Sequence, residues 1–103
     1  MTDTATQAPE WTIEWRGHTW HSSDLTGNHA AAVGELLGID PGWEWFDLAS
    51  LHPARGPLHV MTLIAACLCV DSDVRGVAAR TAVLAGIKEA TVDELIASVR
   101  IPS

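Results

Sequence analysis

The clearest alternation of apolar and polar residues lies in "WTIEW". It puts Trp11, Ile13 and Trp15 on one face of a strand and Thr12 and Glu14 on the other. Arg16-Gly17 follows as a two-residue turn, glycine being free to take positive φ. A turn of that length pairs Trp15 with His18, Glu14 with Thr19 and Ile13 with Trp20. The three tryptophans and Ile13 then share one face, and hairpin 11–22 is specified by its own pattern. A lone hairpin is marginal in water, so this face must lie on helices.

The rest of the chain changes period. Over 26–37, Ala30, Val33, Leu36 and Leu37 form a helical stripe; Ser23, Asp24 or Thr26 can cap its start, and Gly38 closes it. A second helix spans 57–70, with Pro57 at its first position. It is apolar in nearly every direction, with only His59 and Thr62 as a polar edge, so it should be the central, most buried element. A third spans 73–88, with Asp71 or Ser72 as cap, Asp73 near its positive end, and Val74, Val77, Thr81 and Leu84 facing inward. A fourth covers 91–100: Thr91 and Glu94 form a capping box, and Val92, Leu95, Ile96 and Val99 fall at i, i+3, i+4 and i+7. Residues 39–56 are irregular, with a turn signal at Asp40-Pro41-Gly42 and a short helical turn within 43–50. Residues 1–10 read as a flexible tail. The expected fold is mainly α with a small N-terminal β-hairpin (α+β). It is a compact bundle of about four helices in a single globular domain over 11–103.

Composition narrows the function classes. The chain has 103 residues, 48% of them hydrophobic, which suits one core. Thirteen acidic residues face six basic ones, for a formal charge of −7. Arg16, Arg55, Arg75, Arg80, Lys88 and Arg100 are scattered, so neither nucleic acid nor an acidic membrane surface is an expected partner. The charge fits a basic or apolar protein partner. The apolar run from Val60 to Val70 falls short of the roughly 20 residues that span a bilayer, and the N-terminus does not read as a signal peptide.

Candidate chemistry is sparse. His18 and His21 form H-x-x-H, but strand spacing sends them to opposite faces, and His29 would have to reach back from a helix start. The expected disposition is His18 covering the tryptophan face and His21 solvated. Cys67 and Cys69 point apart on a helix and read as small buried apolar residues in a reducing compartment. Asp71/Asp73 and Asp93/Glu94 sit at expected helix starts, where the backbone dipole accounts for them. No nucleophile elbow, phosphate loop or dinucleotide fingerprint is present, so no catalytic, metal or cofactor-binding residues are assigned. Every aromatic residue lies before position 47. Trp11, Trp15 and Trp20 belong to the core, whereas Trp43, Trp45 and Phe46 in "PGWEWFD" are harder to bury together. They form the candidate partner-binding site, the alternative being that the segment simply lids the core.

The order of elements resembles a known family. A "W-x-I-x-W-R-G-x-x-W" hairpin, a "D-L" leading into a helix, a tryptophan-containing connection and a terminal "VDEL" helix are similar to the small tail assembly chaperones of long-tailed actinobacteriophages. The likeness covers most of 11–100, and departs from the family in the near absence of charge over 57–70. It implies a non-enzymatic protein of the host cytoplasm, without cofactor or metal. Such a protein coats the helical tape measure protein while tail tube subunits assemble, and is absent from finished virions. A fraction of the product is extended by ribosomal frameshifting. Self-association is compatible with this role. The alternative expectation is a virion structural protein, a head–tail connector or minor capsid component; the third is a small metal-binding or enzymatic domain using the His-rich hairpin.

Overall fold

The computed structural model describes residues 11–40, 45 and 56–100. Within them the protein is mainly helical, with a small antiparallel sheet built on the N-terminal hairpin. Strands β1 (Thr12–Trp15) and β2 (His18–His21) are followed by a 3-10 turn at Ser22–Asp24. Helices α1 (Gly27–Leu37), α2 (Pro57–Asp71), α3 (Val77–Ile87) and α4 (Val92–Ser98) follow, and strand β3 (Val99–Arg100) closes the order.

The hairpin has the register its pattern dictates: Ile13 pairs with Trp20, Glu14 with Thr19 and Trp15 with His18. Arg16 and Gly17 take φ of 44° and 88°, the positive values that a tight hairpin turn requires. Trp11, Ile13, Trp15 and Trp20 are all buried in a single core cluster with side chains from every helix. α2 packs against α1, α3 and α4, and eight of its fifteen residues are buried, Leu63 to Cys67 in an unbroken run. It is the central helix because no face of it is polar. Of its expected polar edge, His59 is half-buried and Thr62 is buried, its hydroxyl donating to the Leu58 carbonyl at 2.8 Å. That bond satisfies the buried hydroxyl inside its own helix.

The other helices differ in detail from the pattern. α1 is capped by Thr26, whose hydroxyl accepts the Asn28 N–H, and ends on Gly38 at φ 74°. Its buried residues are His29, Ala32 and Val33, while Ala30, Leu36 and Leu37 are half-buried. α3 starts four residues later than the acids at 71–73 suggested. Asp71 is the last residue of α2, Asp73 takes φ 54° and Gly76 φ 93°, so the chain turns before helix resumes. The delay rotates the inner face to Leu84 and Ile87, leaving Thr81 exposed and Val77 57% exposed.

α4 is shorter than 91–100 because Val99 and Arg100 leave the helix to pair with β1 (Ile13↔Val99, Thr12↔Arg100), giving the sheet order β2-β1-β3. Thr91 does cap α4, accepting the Glu94 N–H at 3.1 Å. The Glu94 carboxylate does not close a capping box; it takes Arg16 Nε and Nη2 at 3.0 and 3.1 Å. Hydrogen bonding to Arg16 holds the Glu94 carboxyl below its usual range and raises the Arg16 guanidinium. The α4 stripe is also turned: Leu95 and Ser98 are buried, while Val92 and Ile96 are 52% and 62% exposed.

Candidate functional site

Of the three aromatics expected to meet a partner, Trp43 and Phe46 lie outside the described residues. Trp45 is half-buried, and its ring stacks on His59 of α2 with centroids 3.7 Å apart. The same histidine bonds the Trp45 carbonyl through Nε2 at 2.7 Å; since a carbonyl only accepts, Nε2 carries the proton. Trp45 is thus held against the start of α2 by a stacked ring and a bond to its backbone. Leu58, next to His59, is 55% exposed.

The histidines of the opening stretch are not brought together. His18 is exposed and stacks on Trp20 at 5.4 Å, covering the tryptophan face. His21 is exposed, its Nδ1 3.1 Å from Thr12 Oγ1. His29 is buried at the start of α1. Among the described residues no three His, Cys, Asp or Glu side chains assemble to hold a metal ion. Cys67 and Cys69 are free thiols in the interior, and burial pushes Cys67 up to about 12, so it stays protonated and unreactive. Asp71 accepts the Trp20 indole N–H at 2.7 Å, fastening the hairpin to the end of α2.

The arrangement that stands out is the outer face of α3. Ala78, Ala82 and Ala85 fall at i, i+4 and i+7, opposite the buried Leu84 and Ile87, and all three are exposed. Val77, Ala79, Thr81 and Gly86 flank them, also exposed. No charge lies on this face, because the one charged residue of α3, Arg80, turns inward. Its Nη1 is 3.1 Å from Glu35 of α1, its Nε donates to the Val74 carbonyl at 3.0 Å, and its side chain is 12% exposed. At Gly86 the face opens into a groove of about 330 Å³ between α3 and the hairpin, lined chiefly by Trp15, Leu68, Val83 and Ile87. Arg16 and His18 also line it, the Arg16 guanidinium lying 4.6 Å over the Trp15 ring. Small side chains let another helix approach closely, and the groove can take its larger ones.

Sequence reasoning missed this face because it placed Val77 and Thr81 inward. The signal that could have shown it is the lack of any charge between Arg80 and Lys88. A second cleft, of about 310 Å³ between α1 and the start of α3, is of different character. Glu35, Asp73, Arg75 and Arg80 line it, and they form ion pairs among themselves.

No protein-family model matches the chain, and no curated protein or solved structure does. No helix among the described residues is long and apolar enough to cross a membrane.

Proposed function

We propose that the protein is a non-enzymatic tail assembly chaperone acting in the host cytoplasm, which binds the phage tape measure protein by laying the client's helix against α3. The observation that carries this reading is the uncharged outer face of α3, which runs into the apolar groove beside the hairpin. A chain with a formal charge of −7 keeps this helical face free of charge, although lysine or glutamate there would cost nothing in packing. Such a face suits reversible helix-on-helix contact, and the chain's net negative charge favours a client with basic flanks. The family resemblance of the hairpin and of the "VDEL" helix points to the same role. Trp45, pinned beside exposed Leu58, offers the client a second apolar contact.

The test is co-expression of this chain with a tape measure protein encoded beside it. The expected result is that the client, insoluble alone, is recovered soluble in complex with the chaperone. A client that stays insoluble, beside a chain that remains monomeric, would sink the reading. Stable incorporation of the chain into purified particles at fixed stoichiometry would instead favour a virion component.

A further inference from the structure

His29 is the one buried histidine among the described residues, 6% exposed. It occupies the third position of α1, where a capping box ordinarily has Glu or Gln. Its Nδ1 lies 2.9 Å from the Thr26 backbone nitrogen and 3.2 Å from Thr26 Oγ1. A backbone N–H can only donate, so Nδ1 is an acceptor, and the ring is neutral with its proton on Nε2. Protonation at Nδ1 would set two donors against each other at the point where the hairpin's exit enters α1.

We propose that His29 is an acid-sensitive latch on the start of α1: neutral, it holds the Thr26 N–H and closes the first turn of the helix; protonated at Nδ1, it releases them. The proposal is independent of the client-binding reading. The charges that act on the ring are two carboxylates. From the 3-10 turn comes Asp24, whose carboxylate accepts the His21 N–H at 3.0 Å. From α2 comes Asp71, engaged with Trp20. Cys67 on the same helix stays a thiol. From α3, Arg80 is committed to Glu35 and the Val74 carbonyl. The two carboxylates favour the imidazolium, but burial outweighs them and holds the His29 pKa below its ordinary 6.5.

The direction of the pH effect follows. A lowered folded-state value means that the unfolded chain takes up its proton first. The stabilisation is therefore complete above 6.5 and is lost as the pH falls from there through the folded value. Within that window the folding equilibrium weakens by up to about tenfold per pH unit.

The experiment follows amide hydrogen exchange at Thr26 by NMR while His29 itself is titrated. His29→Gln serves as comparison, since it keeps an acceptor at this position but does not titrate. The expected result is loss of Thr26 protection in the wild type, with the midpoint of the His29 titration, and retention of protection in H29Q over the same range. Thr26 protection that persists after His29 is protonated, or an equal loss in H29Q, would overturn the latch. Should H29Q fail to fold, the wild-type titration decides alone, because the two midpoints either coincide or do not.

Discussion

In the eleven residues from Trp11 to His21, four large side chains disappear into the core, three of them tryptophans. In the eleven residues of α3, only Leu84 and Ile87 do. The hairpin is fixed by area: each indole removes on the order of 200 Å² from water, and Trp20 adds a bond to Asp71. α3 is fixed by two large apolar side chains, half-buried Val83, and the inward Arg80. The two regions face each other across the same groove, yet the hairpin sends a whole face of large side chains into the core while α3 leaves most of its surface outside. A hairpin with so much buried aromatic area makes a firm wall; a helix of small residues makes an open one. That division is what a reversible binding surface needs, since the part that holds the fold need not change when the partner leaves.

Substitutions can break the contrast in decreasing order of effect. Trp11→Ala empties a fully buried position and should cost about 3–5 kcal/mol, measured by denaturant unfolding. Leu84→Ala, at a site 7% exposed on the more lightly attached helix, should cost about 2–3 kcal/mol. If Leu84→Ala proved the more damaging, the hairpin would not be the firmer wall. Arg75→Ala removes an ion pair whose side chains are 80% and 76% exposed, and should change stability by less than about 0.5 kcal/mol. A larger loss would mean that the α2–α3 turn contributes more to holding α3 than its exposure indicates.

How far each region could be read from sequence follows the same division. The hairpin was legible to the residue, because period-two alternation and an Arg-Gly turn leave a single register that hides the tryptophans. The four helices were legible as elements, but two faces were not. α3 was misread because Asp71 and Asp73 resemble caps, whereas the chain spends 72–76 on a turn with two left-handed residues. α4 was misread because its stripe runs on to Val99, which the sheet claims as a strand. Pairing across 86 residues of sequence has no local signature. Glu94 was legible as a capping residue, but its carboxylate finds a better partner in Arg16, far along the chain. His29 was considered for its metal chemistry, while its helix-capping place, T-x-x-H where T-x-x-E is usual, carried the useful signal. The outer face of α3 was hidden for a plainer reason: alanine satisfies either face of a helix, and only the helix's true start tells which one is inside.

If the uncharged face of α3 holds the client, as proposed, a charge placed at its centre should disrupt the complex. Ala82 is exposed, and a cavity is not created nor a buried group displaced by Ala82→Glu, so the thermal midpoint of the chain alone should stay nearly unchanged. Co-expressed with the tape measure protein, A82E should lose most of the recovery of soluble complex that the wild type gives. Undiminished recovery with A82E, at unchanged stability, would contradict the assignment of this face.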